Sequence, residues 1–362
     1  MMSRTFTRRQ VLKLIAGAAA AATLSPVWHA RAHYPTLRMN PDETDPNTYV
    51  LMGRAIYTVT FYEKPDTTST RLNTLARDQS CLILSEVRAP FSAHNDLWYE
   101  TDLGYAHSAW ILPMRIYPPQ PFIADIGSWG FWGEISQVYT EAYTEPNAQA
   151  ARKYRFYGGN MFHVIEAFTD AEGTGWYKVA DDYPPKVVGN HQWVLARDVR
   201  RFPRAEMSPI HPFVGNKHIE VNLDAQSLAC YEGDDVVFTT LVASGLGGAL
   251  ATPPGNHTVL LKQASRHMAN VPYEGMKEED IPAPENIFDL PGIPWNTFFT
   301  LAGMAIHGAY WHNDFGVRRS HGCLNVSCEA ARWIYRWVHP IGGYEDEFIR
   351  SDHRVGTPIN IV

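Results

Sequence analysis

A chain of 362 residues is too long for one small module and leaves room for two or three domains at roughly 100 to 200 residues each. Hydrophobic residues make up 45% and charged residues 19%, with 11 Trp, 18 Tyr and 16 Phe, which excludes wholesale disorder, while 26 Gly and 25 Pro favour short strands and turns over long helices. Residues 1–32 hold five cations and no acid, which leaves 26 Lys and Arg against 38 Asp and Glu in the rest, so no basic cluster exists to displace phosphate counterions and nucleic acid is excluded as a partner.

In chain order, the first element is a charged start, Thr7-Arg8-Arg9-Gln10-Val11-Leu12-Lys13, followed by an apolar run from Leu14 to Leu24 and the small-x-small site Ala30-Arg31-Ala32. This pattern predicts a secretory signal over 1–32. Its paired arginines resemble a twin-arginine export signal. The apolar run is shorter than the ~20 residues a bilayer requires, so membrane contact is expected only through an uncleaved signal, if at all. The bulk of the chain is expected in the periplasm or cell wall.

Between 49 and 205 the sequence repeats itself weakly. Tyr57 to Pro65 parallels Tyr139 to Pro146, and Trp98-Tyr99 with Trp110-Ile111-Leu112 parallels Trp176-Tyr177 with Trp193-Val194-Leu195. Each unit alternates short apolar runs with Pro, Gly, Asn and Asp, which predicts strands. The pattern resembles small bacterial β-barrels of the Src-homology-three type, which implies barrel modules over 49–117 and 122–203, parted by Tyr117-Pro118-Pro119-Gln120-Pro121. Their tryptophans then serve as barrel core, or grip wall polymer.

After Pro212 the period-2 runs 217–223, 226–233 and 236–242 predict a β-meander. Residues 265–298 are the least regular stretch, with the acidic run Lys277-Glu278-Glu279-Asp280 and five prolines, and are expected to form a lid. Glu329 to Val338 reads as a helix.

The densest chemistry lies between Ile306 and Asn325. A cysteine nucleophile requires a group to take its proton, because a free thiol titrates near ~8.5. Cys323, with His307 sixteen residues upstream, supplies both, and Gly322 lets the backbone approach an oxygen closely. Three other readings stand beside this one: Cys323 as inert core; a zinc site from His307, His312, His321, Cys323 and Cys328, whose spacing fits no common pattern; and a strained Cys323–Cys328 disulfide. The pairing of Cys81 with Cys230 stays open.

Ser320-His321-Gly322-Cys323-Leu324-Asn325, preceded by His307-Gly308, closely resembles the signature of the L,D-transpeptidase catalytic domain, the YkuD type. Val242-Ala243-Ser244-Gly245 and Thr252-Pro253-Pro254-Gly255 resemble further elements of that family, over about 150 residues. One departure is Ala309, where members often carry Thr; another is Asn325, where many have Arg. The resemblance implies a mainly β fold: two β-barrel modules followed by a β-rich catalytic domain over 213–362 with a short helix after the cysteine. It implies a cysteine acyltransferase without metal or organic cofactor. Cys323 would attack a peptidoglycan stem tetrapeptide and release D-Ala. His307 would be the base, oriented by the Gly308 carbonyl. The N–H groups of Gly322 and Cys323 would hold the oxyanion, with His321 and Ser320 in the pocket. Tyr310, Trp311, Arg319 and Asn325 would contact substrate. The acyl group would pass to another stem, making a 3→3 cross-link, or to water in an L,D-carboxypeptidase. A non-catalytic wall-binding protein is the alternative from a different class.

Overall fold

The computed structural model describes residues 49–92, 94–181, 191–271, 284, 287–351 and 355–362. The expected signal over 1–32 and the acidic run 277–280 lie outside the described residues.

The N-terminal half is built of two sheets. The first comprises β1 (Val50–Ala55), β2 (Val59–Tyr62), β3 (Arg71–Leu75), β4 (Ser80–Arg88), β5 (Leu97–Thr101), β6 (Gly104–His107) and β7 (Ile111–Ile116). The second comprises β8 (Phe131–Ile135), β9 (Tyr139–Tyr143), β10 (Arg152–Tyr157), β11 (Met161–Thr169), β12 (Gly175–Val179), β13 (Gln192–Leu195) and β14 (Val199–Arg201). Their strand orders, β3-β2-β6-β5-β4-β1-β7 and β10-β9-β13-β12-β11-β8-β14, are the same order displaced by seven strands. Trp98-Tyr99 and Trp176-Tyr177 of the sequence repeat therefore occupy equivalent strands, β5 and β12, with Trp98 and Trp176 fully buried, whereas Trp110 lies in the turn before β7 and Trp193 on β13, so that second pair is not equivalent.

Neither sheet closes into the expected barrel. β3 and β7 are edges in the first sheet and β10 and β14 in the second. Bulges in β4 and β11 add local twist, but the edge strands of each sheet are not paired with each other.

Two five-stranded sheets follow. One is ordered β17-β16-β15-β24-β18, from β15 (Lys217–Asn222), β16 (Ser227–Glu232), β17 (Asp235–Leu241), β18 (Gly255–Thr258) and β24 (Pro358–Ile361). The other is ordered β22-β21-β20-β19-β23, from β19 (Leu261–Ala269), β20 (Asp289–Phe298), β21 (Ala305–Gly308), β22 (Leu324–Val326) and β23 (Ile349–Arg350). Alternation is clear in β15, where Ile219 and Val221 are buried and Glu220 and Asn222 exposed. These inward residues join Ile306, Leu324, Val326 and Ile334 in one core.

The segment read as irregular, 265–298, is corrected: its arms are regular strands, paired from Leu261 with Phe298 to Ala269 with Asp289. β20 is buried almost throughout, so it shows no alternation, and its prolines mask the strand further.

Helix α1 (Cys328–Trp337) starts where Ser327 caps it, its Oγ accepting from the Ala330 N–H. At its other end two buried lysines saturate the free carbonyls. Lys217 donates to Trp337 O at 2.7 Å and Lys262 to Tyr335 O at 2.9 Å. Among the described residues no helix is long and apolar enough to cross a membrane.

Candidate active site

β21 and β22 run parallel, with Ile306 opposite Leu324, His307 opposite Asn325 and Gly308 opposite Val326. Parallel neighbours require a connection of about a dozen residues or more. The segment 309–323 is that connection, and it carries Trp311, His312, Arg319, Ser320 and His321. The same register sets Cys323 level with Ala305, whose N–H donates to Sγ at 3.4 Å. Side chains two residues apart on a strand share a face, so Cys323, Asn325 and His307 point to one side. Cys323 and His307 are offset by a single two-residue step, about 6.6 Å along the strands, which a thiol and an imidazole together span.

That side opens into a cavity of about 200 Å³. His307, Trp311, Arg319, Ser320, His321, Cys323 and Asn325 line it, and Met268, Phe288, Leu290 and Ile293 from the β19–β20 hairpin form its apolar wall.

The His307 ring places Nδ1 3.2 Å from its neighbour's carbonyl, Gly308 O. A carbonyl only accepts, so Nδ1 carries the proton and Nε2 keeps its lone pair. Gly308 must lack a side chain, because a Cβ would meet Pro294 Cγ at 2.8 Å and Cys328 Cα at 2.9 Å. Burial lowers the His307 pKa to about 4, against the Gly308 hydrogen bond. Burial also pushes the Cys323 thiol up to about 11, against the Ala305 N–H. The resting pair is therefore neutral thiol beside neutral imidazole, and the arrangement suits transfer of the thiol proton to Nε2 as sulfur attacks.

The turn before Cys323 is fixed by two hydroxyls. Ser320 Oγ accepts from the Gly322 N–H at 3.1 Å and donates to Cys323 O at 2.5 Å, with Gly322 at φ +115°, a value that favours glycine. This corrects the expected oxyanion hole: the Gly322 N–H is already engaged. Thr252 Oγ1 accepts from the Gly245 N–H and donates to Gly322 O, both at 2.9 Å. In a trans peptide the C=O and N–H point opposite ways, so anchoring Gly322 O aims the Cys323 N–H away from Thr252.

His312 is buried with Nε2 3.0 Å from the Asn325 amide. Burial, then the Arg319 and His307 charges, push its pKa down to about 3, so it holds Asn325 as a neutral ring. Arg319 sits half-exposed at the cavity rim with Nε donating to Asp314 at 3.0 Å. Tyr310, expected to contact substrate, faces the other way: its hydroxyl donates to Pro291 O at 2.9 Å and its ring packs on Tyr157. The chain bends at 310 and 311, and there Trp311 lines the cavity while Tyr310 is buried in the interior.

All four cysteines are free, and Cys81 and Cys230 lie in separate cores. Among the described residues no group of three or more His, Cys, Asp or Glu could hold a metal ion. Sequence reasoning missed the apolar wall and the role of Thr252. The spacing Phe288, Leu290 is a strand face in outline, but the surrounding prolines hid it.

Residues 216–361 match the model of the YkuD family, the L,D-transpeptidase catalytic domain. No curated protein matches the chain. Among solved structures, it is similar to a mutant L,D-transpeptidase from Enterococcus faecium, with 19% identity over 42% of this chain and 52% of that one, TM-score 0.30. An L,D-transpeptidase from Mycobacterium smegmatis shares 14% over 78% of this chain and 99% of that one, TM-score 0.31. L,D-transpeptidase 3 from Mycobacterium tuberculosis, in complex with a faropenem-derived adduct, shares 16% over 52% of this chain and 90% of that one, TM-score 0.32. The chain spans about half the length of the first of these.

Proposed function

From the premise that residues 216–361 belong to the L,D-transpeptidase catalytic-domain family, we propose that this protein is an exported cysteine acyltransferase acting on peptidoglycan stem peptides. The observation that carries the reading is the placement of His307 and Cys323 on one face of a parallel strand pair, both lining one cavity, with the imidazole Nδ1 engaged by Gly308 O.

Cys323 Sγ attacks the carbonyl of the third, diamino residue of a stem tetrapeptide, and its proton passes to His307 Nε2. The Cys323 N–H donates to the developing oxyanion. The tetrahedral intermediate collapses, the C–N bond to D-Ala breaks, and His307 returns the proton to the departing amine. The thioester is then opened by a side-chain amine of a second stem, which gives its proton to His307 and forms a 3→3 cross-link, and the thiol is restored. Arg319 at the rim would exchange its Asp314 partner for a stem carboxylate, and Trp311 and the apolar wall would exclude water. The segment 1–32 directs export, and the chain acts in the periplasm or at the wall.

The test is mass spectrometry of residues 33–362 incubated with disaccharide-tetrapeptide, beside Cys323→Ser. Dimers lighter by one D-Ala, formed by the wild type alone, are expected. Tripeptide alone would replace the transpeptidase with a carboxypeptidase. No turnover with substrate still bound would overturn the catalytic reading in favour of wall binding.

A further inference from the structure

Arg54 lies on β1 of the first sheet, far from the reaction in sequence, yet its guanidinium is 3% exposed and joins three parts of the molecule. Nη1 donates to Asp78 at 2.8 Å within its own sheet. The plane lies over the Tyr157 ring of the second sheet at 4.1 Å. Nη2 donates to Tyr310 O at 2.7 Å, inside the connection that follows His307. That carbonyl belongs to the peptide joining Tyr310 to Trp311, so holding it fixes where the indole leaves the chain. The indole lines the cavity, with its ring centre 5.8 Å from that of His307.

The first sheet grips the same connection again at Asn313, whose Nδ2 donates to Ser108 O at 3.1 Å and Ile111 O at 3.2 Å. Residues 310 and 313 are thus held from outside the catalytic sheets, on either side of Trp311 and His312. We propose that Arg54 is a positioning residue for the active site, fixing the Tyr310–Trp311 peptide and through it the indole against His307, so that the first sheet is part of the catalytic unit. The inference rests on the reading of His307 and Cys323 as base and nucleophile.

The consequence is readable in a pH profile. Cys323, His312, His321 and Arg319 line or border the same site, and the covering indole contributes to the burial that keeps the His307 ring neutral into acid. Loosening Trp311 admits water and raises the point at which His307 protonates towards the ordinary imidazole value of about 6.5.

The experiment follows alkylation of Cys323 by iodoacetamide from pH 4 to 8 in the full chain, located by mass spectrometry, for wild type, Arg54→Met, Arg54→Lys and His307→Ala. Arg54→Met leaves Asp78 bonded to Arg155 and Tyr157. It is expected to move the acid limb upward, with roughly a three- to tenfold loss at pH 5.5, and to raise KM for the tetrapeptide. Arg54→Lys, one donor point where a fork served two acceptors, moves the limb the same way by less, and decides alone if Arg54→Met does not fold. Unchanged limbs and KM in the Arg54 variants, with His307→Ala impaired, overturn the proposal and leave the catalytic pair standing. A wild type whose alkylation is indifferent to His307→Ala overturns both.

Discussion

The two N-terminal sheets share one strand order, yet they grip different walls of the same cavity, and only the second does so through a buried histidine between carboxylates. The first holds the 309–323 connection through donors aimed at backbone carbonyls, Arg54 on Tyr310 O, and through acceptors that receive Asn313. The second holds the β19–β20 hairpin. Asn160 Nδ2 donates to Pro291 O and Gly292 O, both at 3.1 Å, and Gly292 packs so closely on Phe162 that a Cβ there would lie 2.4 Å from Cζ. Asp181 reaches across to His267, which also meets Asp289 on its own hairpin, at 2.7 and 2.5 Å. One scaffold used twice thus supports two walls because the interface residues, and not the strands, differ. Arg54 and Asn313 keep their charge state near neutral pH, whereas the second sheet adds to the neutral Asn160 anchor a contact through His267, which titrates.

The largest effect is expected where that charge sits. His267 is 1% exposed between two carboxylates, with Tyr154 edge-on to its ring. His267→Ala removes the cation from the pair and is expected to cost about 3 to 5 kcal/mol in denaturant unfolding. It should also abolish the pH dependence that follows. Burial opposes protonation of His267, but Asp181 and Asp289 outweigh it and raise the pKa to about 9. A pKa raised on folding gives stability that is complete below the unfolded value of about 6.5 and is lost as pH rises through about 9, on the order of 3 kcal/mol in all. Urea midpoints measured from pH 6 to 10 should therefore fall in the wild type and stay flatter in His267→Ala. A flat wild-type series would remove the contrast between the two walls.

An intermediate effect is expected at the first wall. Asn313→Ala withdraws the donor from two buried carbonyls, Ser108 O and Ile111 O, which should cost about 1 to 3 kcal/mol. That loss should be independent of pH over the same range, and equal losses at pH 6 and 9 would sharpen the contrast.

What the sequence made legible follows from how locally each feature is encoded. Cys323, His307 and the Gly308 carbonyl lie within one motif and one strand, so the motif alone brought them together. The repeat was legible because the buried Trp-Tyr strands at 98–99 and 176–177 recur at equivalent places. The hairpin at 261–298 was not, since β20 is covered on both faces and alternation reports burial on one face only. Tyr310 was misplaced because two adjacent aromatics look alike until the backbone assigns them opposite sides. Arg54 and His267 were invisible as parts of the site, because partners 256 and 86 residues away leave no trace in local spacing. The Gly322 N–H was assigned to the oxyanion before the Ser320 hydroxyl that occupies it could be seen.

The smallest effect tests whether charge as such, or buried charge, distinguishes the second sheet. Lys178 and Glu166 pair at 2.8 Å on neighbouring strands of that sheet, with side chains 30% and 50% exposed. Solvent screens such a pair, and holding two long side chains in one geometry offsets most of the attraction. Glu166→Gln is expected to shift stability by no more than about 0.5 kcal/mol and to leave the pH series of the wild type intact. A shift comparable to that of His267→Ala would mean that the second sheet is held by its surface charge, and the contrast between the walls would then lie in net electrostatics and not in the buried His267 contact.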